Sequence, residues 1–153
     1  REYQSNIDKF SQNIIISHIE LLLNYAERYY ERQFITRKIS NHQILIKLEQ
    51  VLNNYFNNSE TLINGIPSVV QISNDLNLSP NYLSSVLKIV SGQSTQQHIQ
   101  NKLIEKAKEK LSTTELSVSE IAYELGFEYP ASFSKLFKSK TNVSPIEFRQ
   151  SFN

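Results

Sequence analysis

Apolar residues at Ile7, Phe10, Ile14, Ile15, Ile19, Leu22, Leu23, Ala26 and Tyr30 recur in steps of three and four. That period marks a helix with one apolar face, and it predicts a first helix over 6–30. The charged segment Glu31 to Lys38 interrupts the pattern. Ser40 or Asn41 then suits an N-cap, and Ile44, Leu45, Leu48, Val51, Leu52 and Tyr55 predict the buried stripe of a second helix. Asn53, Asn54, Asn57, Asn58 and Ser59 mark its end and a loop. Residues 63–67, with Gly65 among them, read as a connector. Beyond it the pattern predicts a run of short helices and one longer helix from about Thr95 to Leu111.

The short helices come in two similar sets. SVVQISNDL (68–76) lies over SVSEIAYEL (117–125), so that Ser, Val, Ile and Leu coincide and Asp75 meets Glu124. One extra residue enters the second turn. After it Pro80 meets Pro130, Leu83 meets Phe133, Ser84 meets Ser134, Leu87 meets Phe137 and Lys88 meets Lys138. Cap, turn, proline and core positions all agree, which is more than two amphipathic helices share by chance.

Each copy reads as a helix-turn-helix. In the first, Ser68 caps a short helix with Val69, Ile72 and Leu76 inward. Asn77 tolerates the left-handed backbone of a turn, and Leu78 plugs the corner. Ser79 caps the next helix and Pro80 takes its first position, where a missing N–H costs nothing. Leu83, Val86, Leu87 and Val90 form its core face, leaving Asn81, Ser84, Ser85 and Lys88 outside. In the second copy Ile121 and Leu125 point inward, Gly126 supplies the turn and Phe127 the plug. Pro130 opens the last helix of the copy. Phe133, Leu136 and Phe137 pack inward, and Ala131, Ser134, Lys135 and Lys138 face out. Such a pair presents the start of its second helix to a DNA major groove. Small polar residues permit close approach to base edges, and a lysine can reach a phosphate.

Between the copies, Leu103, Ile104, Ala107 and Leu111 make an apolar stripe, while Lys102, Lys106, Lys108 and Lys110 alternate with Glu105 and Glu109 on a face expected to be solvated. A helix of about 17 residues spans roughly 25 Å. With the widths of the flanking units, it could set two recognition helices in successive major-groove segments about 34 Å apart.

The residues from Leu116 to Phe127 (LSVSEIAYELGF), Pro130 through FSKLFK (133–138) and NVSPIEFR (142–149) closely resemble the signature of AraC/XylS-type transcription regulators. LSPNYL (78–83), with Lys88 and Gly92, is similar to the first helix-turn-helix of that family, and IEKAK (104–108) to its linker helix. The resemblance runs from about Pro67 to Phe148. It implies an all-α fold: two helix-turn-helix units joined by a linker helix, as a DNA-binding domain over 63–153. The helical annex over 1–58, with YERQF (30–34) in its connecting stretch, would then lie between this domain and an upstream sensor domain.

The resemblance further implies a bacterial regulator that binds double-stranded DNA sequence-specifically. Its base- and phosphate-contacting residues would be Asn81, Tyr82, Ser84, Ser85 and Lys88 in the first unit, and Pro130, Ala131, Ser134, Lys135 and Lys138 in the second. Ser144 would start a final helix whose backbone N–H groups hold a phosphate. Tyr129 stands where the family has a short polar cap, so an irregular start is expected for the second recognition helix. Pro130 and Ala131 offer few hydrogen bonds, which shifts direct readout toward the first unit. Activation and repression stay open.

Composition adjusts this picture. The net charge of +1 is low for a nucleic-acid binder, yet from Tyr129 onward Lys135, Lys138, Lys140 and Arg149 face Glu147 alone. Only three Gly and four Pro favour long regular helices. No apolar run approaches the ~18 residues of a membrane span. The lack of Cys fits a reducing compartment, so a cytoplasmic location is expected. Met is absent even at position 1, as expected of a piece of a longer chain.

An enzyme is not expected. His18, His42 and His98 lack metal-ligand spacing, and there is no phosphate-binding glycine loop or G-x-S-x-G motif. No cofactor or metal is implied. The alternative is a helical interaction module that recruits RNA polymerase or a partner subunit. The apolar stripe of the first helix offers a surface for a homodimer, or for packing on its own domain.

Overall fold

The computed structural model describes residues 9–58 and 60–152. Among them are eight helices and no strand: α1 (Lys9–Asn57), α2 (Glu60–Asn64), α3 (Val69–Asp75), α4 (Pro80–Ser91), α5 (Thr95–Thr113), α6 (Val118–Glu124), α7 (Pro130–Thr141) and α8 (Pro145–Gln150). The chain forms two compact units, Arg1–Ser40 and Asn41–Asn153.

The first unit departs from the sequence reading. A break was expected over 31–40, with a fresh cap at Ser40 or Asn41, but α1 runs through both. No Gly or Pro occurs before Gly65, and Glu31, Arg32, Gln33, Arg37 and Lys38 are all good helix formers. The charges therefore change the face of the helix without ending it. The apolar stripe is not buried either. Phe10, Ile14, Ile15, Ile19, Leu22, Leu23, Ala26 and Tyr30 are exposed, Leu22 at 70%. Asn6 and Ile7, predicted to open this helix, lie outside the described residues.

The second unit holds the core. Leu48 and Leu52 from α1 are fully buried, and Phe56 nearly so, in one cluster with Ile72, Leu83, Leu87, Ile99, Leu103, Ile121, Phe133 and Phe137. The last turns of α1 thus belong to the unit that carries both copies, whereas the sequence reading divided the chain at 58–63. Ser59, part of the expected loop, lies outside the described residues. The first two residues of the expected connector, Ile63 and Asn64, are helical, since α2 extends to Asn64 before Gly65 (φ +73°) ends it.

Helix α5 packs on α4, α6 and α8, while α3 packs on α4, α6 on α7 and α2 on α6. Its stripe is buried as predicted, with Ile99 added. Lys102 is buried as well, against the expectation of a solvated face: its stem lies in the fold and its Nζ reaches Glu105 Oε1 at 2.8 Å.

The duplication is structural and longer than the sequence match. Ser68 and Ser117 each accept from the third residue of their helix, Gln71 and Glu120, whose side chains return the bond. Both turns close alike, with Leu78 N–H donating to Ser73 O and Phe127 N–H to Ala122 O. Asn77 (φ +54°) and Gly126 (φ +87°) take the left-handed position, as read from the sequence. Helices α4 and α7 both end on a left-handed residue, Gly92 and Asn142, and the capping boxes Ser94–Gln97 and Ser144–Glu147 follow at the same offset.

The cores of the copies differ in kind. Phe127, Phe133, Phe137, Phe148 and Phe152 form a ladder with successive ring centroids 5.4, 5.8, 5.5 and 5.1 Å apart. The first copy has Leu78, Leu83, Leu87 and His98 at the places of the first four.

Candidate nucleic-acid interface

Helices α4 and α7 carry the candidate interface. Core residues fix their orientation: Leu83, Val86 and Leu87 in α4, Phe133 and Phe137 in α7. The exposed positions then follow at one register. On α4 they are Asn81, Tyr82, Ser85, Lys88 and Ile89; on α7 they are Ala131, Ser132, Lys135, Lys138, Ser139 and Lys140. The first five of these match the five of α4 at an offset of fifty residues.

This face contains most of the residues expected from the sequence, with differences. Ser84 and Ser134 are half-buried rather than open. Ser84 Oγ lies 3.1 Å from Thr95 Oγ1, so its hydroxyl joins α4 to α5. Ser85 is exposed, but its hydroxyl donates to Asn81 O at 2.9 Å. Pro130 is half-buried at the start of α7. Ser132 went unnoticed in the sequence; it occupies the register of Tyr82, and the repeat itself was the signal that could have found it. The helix starts differ as expected: Ser79 accepts from Tyr82 N–H, whereas Tyr129 makes no side-chain cap. There Ser132 N–H closes a tighter turn on Tyr129 O.

Ser144 starts α8 with a capping box. Its N–H donates to the Glu147 carboxylate at 2.6 Å and its hydroxyl accepts from Glu147 N–H. A carboxylate therefore already occupies the start of α8, and a phosphate there would meet like charge. That hydrogen bond from Ser144 N–H is also the main reason the Glu147 carboxyl titrates below its ordinary value. Arg149, counted from the sequence with the basic residues, is also occupied internally. Its Nε donates to Leu111 O at 3.2 Å and its Nη2 to Leu116 O at 2.6 Å, tying α8 to the end of α5.

Charge sorts by location. On the linker, Lys102, Lys106 and Lys110 pair with Glu105, Glu109 and Glu124. Lys108 stands 5.8 Å over the Phe148 ring. Among the described residues, Lys88 on α4 and Lys135, Lys138 and Lys140 on α7 enter no ion pair. The cations left to solvent in the two copies are those on the recognition helices. No helix is long and apolar enough to cross a membrane, and no metal-binding cluster occurs, among the described residues.

Comparison with known proteins agrees with this geometry. Residues 72–151 match the family described as "Helix-turn-helix domain". The chain is 31% identical over 144 residues to the HTH-type transcriptional regulator YfiF of Bacillus subtilis, covering 94% of this chain and 42% of that protein. It thus spans less than two-thirds of the curated relatives it matches. The C-terminal domain of AraT, a response regulator from Geobacillus stearothermophilus, superposes with a TM-score of 0.61 at 31% identity, covering 71% of this chain and 84% of that one. The DNA-binding domain of AdpA, solved in complex with a target DNA, shares the fold at a TM-score of 0.57 and 18% identity, covering 69% of this chain and 91% of that one. The chain belongs to the AraC-type helix-turn-helix family of transcription regulators, and its tandem units are a sequence-specific DNA-binding module.

Proposed function

We propose that the chain reads one side of a DNA duplex with α4 and α7 in successive major-groove segments. The observation that carries this reading is that Lys88, Lys135, Lys138 and Lys140 on the recognition helices enter no ion pair among the described residues, while three of the four linker lysines, Lys102, Lys106 and Lys110, are paired. A 19-residue α5 is about 28 Å long, which suits two sites one helical turn, about 34 Å, apart. AdpA, with the same fold, is held on a target DNA.

In this reading Asn81, Tyr82 and Ser85 meet base edges, Lys88 holds a phosphate, and Ser84 contributes from a half-buried position. On α7, Pro130, Ala131, Ser132 and Ser134 line the groove while Lys135 and Lys138 hold the backbone. Ser144 is left out. In this reading the DNA-binding domain spans 63–153, with the end of α1 adding Leu48, Leu52 and Phe56 to its core, and the protein acts as a non-enzymatic regulator in the cytoplasm. A duplex selected from a random pool tests this: gel shifts should give tight, salt-dependent binding to the selected sequence. Equal affinity for random duplex would overturn sequence-specific recognition.

The exposed apolar residues of the first unit favour a homodimer contact there, since monomers rarely leave such a surface open. Sedimentation should show concentration-dependent dimers that Leu22→Glu disrupts; a monomer at all concentrations would refute the contact.

A further inference from the structure

The two copies share their caps, turns and core registers, but only the second is held at its turn by the chain upstream of both. Thr61, in α2, is 3% exposed and donates its hydroxyl to the Glu124 carbonyl at 2.7 Å. Glu124 is the last residue of α6. The carbonyls just before it, of Ile121, Ala122 and Tyr123, receive N–H groups from the turn, and the Glu124 carbonyl is left over. Thr61 supplies the donor that the unit itself lacks.

Backbone contact accompanies that bond. A Cβ built on Gly126 would come within 2.7 Å of Gly65 C, 2.8 Å of Ile66 N and 3.0 Å of Thr61 O. The strand of chain from Thr61 to Ile66 therefore lies directly on the turn that sets the angle between α6 and α7. It is itself fixed, because Gly65 N–H donates to Thr61 O at 3.0 Å and Tyr55 Oη to Gly65 O at 3.3 Å. From the other side Lys110 Nζ holds the Glu124 carboxylate at 2.6 Å.

The first copy is the internal control. Its equivalent of Glu124 is Asp75, whose carbonyl receives no side-chain donor and whose carboxylate enters no ion pair among the described residues. Its turn residue is Asn77, so no neighbouring backbone demands a glycine there.

We propose that Thr61 is a positioning residue for the second recognition helix: α2 and Gly65 form a strap that fixes the α6–α7 turn and so aims α7, but not α4, into its groove. This inference rests on the reading that both helices enter DNA. Through Tyr55 the strap also ties the end of α1 to the α6–α7 turn.

The test uses the whole chain and a duplex selected by it from a random pool, with footprinting to define the two half-sites. Wild type, Thr61→Val, Thr61→Ser and Lys110→Met are titrated on the intact duplex and on duplexes with either half randomised. Thr61→Val keeps the shape and removes the donor. It should weaken binding about five- to tenfold, as the loss of one hydrogen bond of roughly 1–1.4 kcal/mol would, wherever the α7 half is intact. Affinity for the duplex retaining only the α4 half should not change. Thr61→Ser should restore binding, the salt slope should stay that of wild type, and Lys110→Met, should Thr61→Val fold poorly, should reproduce the α7-half loss. Equal losses on both halves, or none, would overturn the positioning role. Failure of the wild-type chain to select any duplex would instead refute the DNA-binding reading beneath it.

Discussion

Lys88 and Arg149 show how little a residue's charge says before its surroundings are known. Both are cations close to a recognition helix, yet Arg149 binds two backbone carbonyls and Lys88 faces solvent. Lys88→Ala should therefore weaken binding to selected and random duplex alike and make the log–log salt slope shallower by about 1. Titrations from low to moderate salt check this, and an unchanged slope would remove Lys88 from the phosphate contacts. His98 is the second residue whose environment decides its chemistry. Burial lowers its pKa below the ordinary 6.5, against a smaller opposing pull from the Glu49 carboxylate. The unfolded chain then binds more protons than the folded one between 6.5 and the depressed value, so stability falls as pH falls through that window. Glu109, Glu120 and Glu147 are lowered below 4.5, chiefly by hydrogen bonds from Lys106, Ser117 and Ser144 respectively, and lose their contribution only at more acid pH. Denaturation midpoints at pH 7.5 and 5.5 should thus differ more for wild type than for His98→Gln. Equal differences would deny His98 the role.

At the scale of elements, the two turns carry the most instructive contrast. Asn77 and Gly126 have the same left-handed backbone, and the sequence placed both in turns. The turn pattern explained why each residue tolerates that backbone, but not why only one must be glycine. Only the fold supplies the reason, the Gly65–Ile66 backbone lying under 3 Å from a Cβ at 126. Gly126→Ala should cost on the order of 2–4 kcal/mol, combining strain with displacement of the strap. Gly92→Ala meets nothing within 4 Å and should cost only the backbone strain of about 1 kcal/mol. Thermal melts of the two variants compare them directly, and equal shifts would sink the close-approach argument. Capping shows the opposite balance. Ser68, Ser79, Ser117 and Ser144 are local signals, readable without tertiary contact, and each caps the helix it was expected to cap.

For the whole molecule, the repeat is what made the sequence legible. Serine caps, paired prolines and apolar registers are local or periodic constraints, so they specified two helix-turn-helix units, their linker and the family without any coordinates. The N-terminal part resisted because a charged segment between two apolar stripes looks like a break, while helix propensity without Gly or Pro continues through it. What covers the first apolar stripe was left open for a related reason: periodicity gives a helix an apolar face but not a partner for it. The sequence by itself determined the tandem fold and the outward register of α4 and α7, because caps, turns and core spacing act within a few residues. The tertiary structure alone decided which cations are free, which serines are already bonded, and that Thr61 and Gly65 serve the second unit. Those outcomes depend on groups far apart in the chain meeting within hydrogen-bond distance, and no local pattern encodes that.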